Sequence, residues 1–186
     1  PCCADFTREM ELPAPQKVRR TVYFPGSTIG NFGPRERLDL LQRIARLCGA
    51  GGGLLVGIDL QKDVPTIEAA YNDAQGVTAE FNLNLLGRMN RELGADFECR
   101  AFHHFAFYDP IQQRVDIRLV SDCDQTVRIG HSRFDFSVGE AIHTEYSYKF
   151  TIAGFARLAE RAGFALRRHW TDANDFFALL YLQNKA

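Results

Sequence analysis

Three stretches of this 186-residue chain hold side chains whose types and spacing suit chemistry on a small polar molecule. In GEAIHTEYSYKF, residues 139–150, the period-two alternation of a strand puts Glu145 and Ser147 on one face about 7 Å apart, with Ile142, Thr144, Tyr146 and Tyr148 on the other. A carboxylate acceptor and a hydroxyl at that spacing match a neutral imidazole, which offers one N–H and one lone-pair nitrogen. A solvated strand face carries the same residues equally well. In YFPGSTIGNF, residues 23–32, an apolar run breaks into Gly26, Ser27, Thr28, Gly30 and Asn31 before a helix that starts at Pro34. Glycines let a backbone approach a ligand, and the polar side chains supply donors and acceptors of fixed reach. The alternative is a tight turn in which Asn31 only caps the helix. Tyr71, in AAYNDAQGVTAEFN, is a phenol ahead of a helix, a packing residue or a ligand.

The elements that must position these residues fall into two textures. From Thr21 to Leu60 the order is apolar strand, loop, helix, glycine break and apolar strand, with Leu38, Leu41, Ile44 and Leu47 at helical spacing between Pro34 and Gly49. Leu54 to Ile58 forms the second strand. Strands that are apolar throughout and joined by a helix predict a parallel, doubly wound α/β sheet, whose ligands gather beyond the carboxyl ends of the strands, where Gly26 to Asn31 would lie. After Asp59 the texture changes. Val77, Phe81, Leu85 and Met89 predict a helix over 77–93, and Val115, Ile117 and Leu119 alternate with Arg114, Asp116 and Arg118. Val127 and Ile129, then Phe134, Phe136 and Val138, continue this pattern of an antiparallel sheet with one wet face. From Thr151 a helix carrying Phe155, Leu158 and Ala162 ends at Gly163, and apolar runs follow at 164–170 and 176–182. Residues 1–62 and 148–186 therefore read as an α/β domain and 63–147 as an insertion within it.

Gly49 to Gly53 is not a phosphate-binding loop on this reading, because a helix runs into the glycines and a strand leaves them, the reverse of the dinucleotide order. A glycine-rich cofactor turn would precede Pro1, and the chain reads as the carboxyl-terminal part of something longer. A net charge of −1 gives no reason to expect nucleic acid or an anionic membrane as a partner. The five cysteines, Cys2, Cys3, Cys48, Cys99 and Cys123, lack metal-site spacing and are read as reduced thiols. With no apolar stretch near membrane-spanning length and no signal-peptide pattern, a cytoplasmic protein is expected, and no metal.

The stretches PGSTIGNF, GIDLQKD, AAYNDAQGVTAEFNLNLLGRMNRELGADF, DQTVRIG, GEAIHTEYSYKF, FARLAERAGF and HWTDANDFFALLYL, in this order and spacing, resemble the histidine-specific, S-adenosylmethionine-dependent methyltransferases, best known for the first step of ergothioneine biosynthesis. The resemblance covers essentially the whole chain. It implies a class I methyltransferase domain, Rossmann-like, interrupted by an α+β substrate-binding insertion, with S-adenosyl-L-methionine as cosubstrate and L-histidine as substrate. It further implies that Asn31 and Tyr71 contact the amino-acid end of histidine, and that Glu145 and Ser147, with Tyr146 between them, hold its imidazole. CADFTREM matches the segment in which Asp5 and Phe6 meet the adenine, and Gly26 is placed against the cofactor. The amino-terminal half of the family pattern, with the glycine-rich loop and the ribose-binding acid, has no counterpart here. The chain alone is therefore expected to be inactive, and to self-associate or pair with an amino-terminal companion through its incomplete sheet. A methyltransferase for another small amine and a non-catalytic remnant of the fold are the alternatives.

Overall fold

The computed structural model describes residues 3–8 and 19–185. These residues form two compact units, one running to Gln61 and resuming at Tyr148, the other comprising Lys62–Ser147.

The first unit is built on strands β1 (Thr21–Phe24), β2 (Gly53–Asp59), β8 (Phe164–Thr171) and β9 (Phe177–Asn184), in the order β1-β2-β9-β8. Helix α1 (Pro34–Cys48) begins as its sequence requires. Pro34 occupies the first turn, and the Glu36 carboxylate accepts from the Gly33 N–H at 2.9 Å. The helix ends at Gly49, whose φ of 70° only glycine adopts without strain. Gly52 has no alternative either, since a Cβ there would lie 2.4 Å from the Cys48 carbonyl oxygen. The glycine run is thus the helix terminator and strand start that its order indicated. Beyond it, Leu54, Val56 and Ile58 are fully buried, as are Leu180 and Leu182 of β9 and Phe155 of helix α4 (Ile152–Arg161).

The sheet departs from an all-parallel one. β1 runs parallel to β2, but β9 is antiparallel to β2, and β8 to β9. The reason lies in the connection between β8 and β9. There the Asp172 carboxylate accepts from the backbone N–H of Asn174, Phe176 and Phe177, at 2.8, 2.9 and 2.7 Å, closing a hairpin far shorter than the dozen or so residues a parallel crossover needs. Apolar runs record that a strand is buried, not which way it points.

The second unit contains α2 (Val64–Tyr71), α3 (Val77–Leu93), a sheet of β3 (Phe102–Asp109), β4 (Arg114–Ser121) and β7 (Ala141–Tyr148) in the order β3-β4-β7, and a hairpin of β5 (Gln125–Ile129) and β6 (Ser132–Phe136). Asp63 starts α2 by accepting from the Thr66 N–H, and Asp73 starts α3 by accepting from those of Val77 and Thr78. One cluster gathers Leu86, Phe97, Phe102, Leu119 and Val127. A second gathers Ile67, Ala106, Val115 and Ile117 against Tyr71 and Tyr108.

The helix expected over 77–93 is present as α3, and two details of burial differ from what the patterns suggest. The four-residue stripe on α3 is not its buried face: Val77 and Phe81 are 60% and 77% exposed, and the helix buries Asn82 and Leu86 instead. Nor is the polar side of β4 wet throughout. Asp116 is only 4% exposed, because the Arg118 guanidinium donates to both its oxygens, at 2.8 and 2.9 Å, and holds its carboxyl below the usual carboxylate range. No helix among the described residues is long and apolar enough to cross a membrane.

Candidate active site

In the first unit the loop after β1 is shaped by its backbone. Ser27 is left-handed (φ 55°) and its Oγ accepts from the Asp59 N–H at 2.9 Å, which ties the loop to the carboxyl end of β2. Its carbonyl accepts from the Gly30 N–H at 2.8 Å, and Thr28–Asn31 closes as a 3-10 turn with Ile29 buried beneath. Gly30 is obligatory, since a Cβ would meet the Tyr148 carbonyl oxygen at 2.9 Å.

Arg37 of α1 reaches back under this turn. Its Nε donates to the Ile29 carbonyl at 3.3 Å and its Nη2 to that of Phe32 at 2.8 Å, so the carbonyls on both sides of Asn31 rest on one guanidinium. That group also sits 4.4 Å from the Tyr148 ring centre and 4.7 Å from that of Phe150. Burial pushes its pKa down to about 10, which leaves it a cation at neutral pH. A second buried cation stands nearby in the same unit: Lys149 Nζ lies 2.7 Å from Asp59 Oδ2. The sequence does signal Arg37, because it precedes Leu40, Leu41, Ile44 and Cys48 on the buried stripe of α1, where a charge has to be paired.

Asn31 itself is exposed. The N-cap of α1 is Gly33, so the helix does not use Asn31 as its cap and that alternative is overturned. Gly26 is exposed as well, and a Cβ there would meet no atom closer than 3.7 Å. The chain's own packing therefore does not demand a glycine at 26. Phe6 stands beside the loop with its ring centre 5.5 Å from Phe24 and 6.3 Å from Phe32, and 42% of the residue remains open for stacking. Asp5 opens a turn. Its carboxylate accepts from the Thr7 hydroxyl and N–H, which holds its pKa below the usual range, and pairs with Arg8 at 3.2 Å. An aromatic face, a carboxylate and an uncrowded glycine fit an adenosyl cofactor.

In the second unit Tyr71 is the last residue of α2 and lies ahead of α3. Its ring lies against the Ile67, Ala106, Val115 and Ile117 cluster, and its Oη is 2.7 Å from Ser147 Oγ, where either oxygen can donate. Packing and polar contact, read from sequence as alternatives, coexist in one side chain. Ser147 is buried near the end of β7, and Glu145, two residues earlier on that strand, is half-buried. Tyr146 is engaged by its neighbours: the Arg114 guanidinium carbon stands 3.5 Å from its ring centre, and the His143 ring centre 3.8 Å away.

Against this geometry the comparisons are decisive. Residues 1–184 match the family described as histidine-specific methyltransferase, SAM-dependent. The chain belongs to that family. It is 41% identical over 177 residues to a histidine N-alpha-methyltransferase of Mycobacterium tuberculosis, covering 94% of this chain and 55% of the relative. An L-tryptophan methyltransferase of Psilocybe serbica is 27% identical, over 94% of this chain and 49% of its own length. The chain thus spans about half the length of the curated relatives it matches. Among solved structures, the CcbJ methyltransferase of Streptomyces caelestis aligns with a TM-score of 0.51 at 13% identity, over 98% of this chain and 62% of the other, which shows a shared α/β methyltransferase fold.

Proposed function

We propose that this chain forms part of an S-adenosyl-L-methionine-dependent methyltransferase that trimethylates the α-amine of L-histidine, giving its betaine, hercynine, as in ergothioneine biosynthesis. The observation that carries the reading is the contact of Tyr71 Oη with Ser147 Oγ, which sets two hydroxyls together beside the strand that bears Glu145. Glu145 and Ser147 hold the two imidazole nitrogens, with Tyr146 between them in sequence. Asn31 and Tyr71 orient the amino-acid end so that the unprotonated amine lies in line with the transferable methyl group. When bound, the cofactor supplies a sulfonium-activated methyl, and Asp5, Phe6 and Gly26 hold its adenosyl part. What remains for the chain's own residues is alignment and exclusion of water, a contribution of several kcal/mol, on the order of 7 or more for a well-oriented pair. The reading places the protein in the cytoplasm.

Binding of a companion segment belongs to the same proposal. Among the described residues β1 pairs only with β2, and Tyr23 is 66% exposed. An unfilled edge of this kind recruits another strand. Size-exclusion chromatography with light scattering, followed by a labelled-methyl assay on histidine, tests both parts: residues 1–186 alone should associate and transfer nothing. A monodisperse monomer that methylates histidine would contradict the companion, and a completed protein that methylates another amine in preference would contradict the substrate.

A further inference from the structure

Behind Tyr71 runs a chain of polar groups whose direction is fixed at both ends. The Asn82 amide of α3 is buried, at 7% exposure, and its Nδ2 faces two partners: the Arg118 carbonyl at 3.0 Å and His104 Nδ1 at 3.0 Å. On the other side of the ring, His104 Nε2 lies 2.8 Å from the Tyr71 carbonyl oxygen. A backbone carbonyl can only accept. The Arg118 carbonyl therefore requires the amide nitrogen of Asn82 on its side, and the second N–H of that nitrogen then points at Nδ1, which must accept. The Tyr71 carbonyl likewise requires a proton on Nε2. One tautomer of a neutral ring, Nε2–H with a lone pair on Nδ1, satisfies every position, and turning the Asn82 amide over would set oxygen against oxygen at Arg118.

We propose that His104, its ring polarity fixed by Asn82, is the positioning residue that sets Tyr71 against Ser147. Other bonds also seat the end of α2 on β3: Asn72 Nδ2 donates to the Ala106 carbonyl at 2.9 Å, and the Tyr108 N–H donates to Glu68 Oε1 at 2.9 Å. The His104 bond is made to Tyr71 itself, at the final residue of α2, where a helix carbonyl has no partner within the helix. It fixes the backbone from which the Tyr71 hydroxyl swings, so it governs how closely Oη meets Ser147. Neither His104 nor Asn82 touches substrate in this account, and their role rests on the reading of Tyr71 and Ser147 as substrate ligands.

The test uses the protein as its gene encodes it. In His104→Gln the side-chain amide places a donor where Nε2 stood, in His104→Asn the amide stops at the level of Nδ1, and Asn82→Asp replaces the donor to Nδ1 by an acceptor. Histidine titrated in the presence of S-adenosylhomocysteine should bind about fivefold more weakly to His104→Asn and within about twofold of normal to His104→Gln. In a Tyr71→Phe background the His104→Asn loss should vanish. An equal loss in both backgrounds would overturn the proposal, because it would make His104 a general support of the fold. Nitrogen-15 spectra of the His104 ring give a reading independent of substrate: a protonated Nε2 and unprotonated Nδ1 are expected, with both nitrogens protonated in Asn82→Asp, where an acceptor then faces each of them, and the opposite tautomer in the unaltered protein overturns the assignment. Should Tyr71→Phe leave histidine affinity intact, the substrate reading of Tyr71 fails by itself. Positioning is then decided by the Tyr71 ring signals, which must move in His104→Asn and stay in His104→Gln.

Discussion

The loop that follows β1 and the face that joins Tyr71 to Ser147 hold the groups proposed to meet ligands by opposite means. In the loop the backbone is the object being held: a left-handed Ser27, an obligatory Gly30 and two carbonyls resting on the buried Arg37 fix where Asn31 is presented. In the insertion the backbone is regular helix and strand, and side chains are held by side chains, Tyr71 by Ser147 and by the apolar cluster beneath it. The first arrangement concentrates its dependence on a single cation. The second spreads it over several modest contacts, each worth about 1 kcal/mol.

If the contrast is sound, Arg37→Ala should have the largest effect of any single change at either place. It strips the Ile29 and Phe32 carbonyls of a charged donor and removes a cation from two aromatic rings, a loss of about 3 kcal/mol in urea denaturation. Arg37→Lys should recover only part of it, because an ammonium cannot reproduce the planar fork. A loss below about 1 kcal/mol would show the loop to be self-supporting.

Glu145→Ala should act on recognition rather than on the fold, weakening histidine binding by about 1.5–3 kcal/mol in calorimetry while cofactor binding stays as it was. An equal fall in cofactor affinity would reassign Glu145 to structure. Tyr71→Phe keeps the ring and its packing and removes only the hydroxyl bonded to Ser147, so histidine binding should weaken by about 1 kcal/mol.

The smallest effect concerns pH. The Thr78 and Val77 groups that bond Asp73 lower its pKa from 3.8 to about 2. A carboxylate whose folded pKa is depressed stabilises above its unfolded value and loses that contribution as pH falls, here between about 4 and 2. Protection of the Val77 and Thr78 amides, measured against their intrinsic exchange rates, should therefore fall across that interval, and in Asp73→Asn it should already be low at pH 5.

Much of this was legible in the chain, for reasons that differ between the two regions. Strand alternation located Val115, Ile117 and Leu119 in the core, and helical spacing with Pro34 and Gly49 bounded α1, because burial leaves a period in the sequence. On α3 the period located the helix and its span, Val77–Leu93, but not its buried face, where Asn82 takes a position through hydrogen bonds and Phe81 stays exposed. Period also hid the hairpin of β8 and β9, whose direction is set by the Asp172 turn. Helix α2 escaped notice, and with it the position of Tyr71 at a helix end. Asp5 and Phe6 stood out through the family resemblance, since a residue on a loop leaves no period to read, whereas Asn31 was marked by the glycine and polar composition of its loop. His104 leaves no signal of either kind, because its partners lie 22 and 33 residues away in sequence.

The central claim is that the Glu145 and Ser147 face selects an imidazole. Titration calorimetry of the protein as its gene encodes it, with S-adenosylhomocysteine present, tests it most directly when histidine, tryptophan, lysine and histamine are compared in the unaltered protein and in Glu145→Ala. The account predicts that histidine binds far more tightly than the other three and that Glu145→Ala removes most of its advantage over tryptophan and lysine. Equal heats for all four ligands, or a preference for histidine that survives the loss of Glu145, would contradict it.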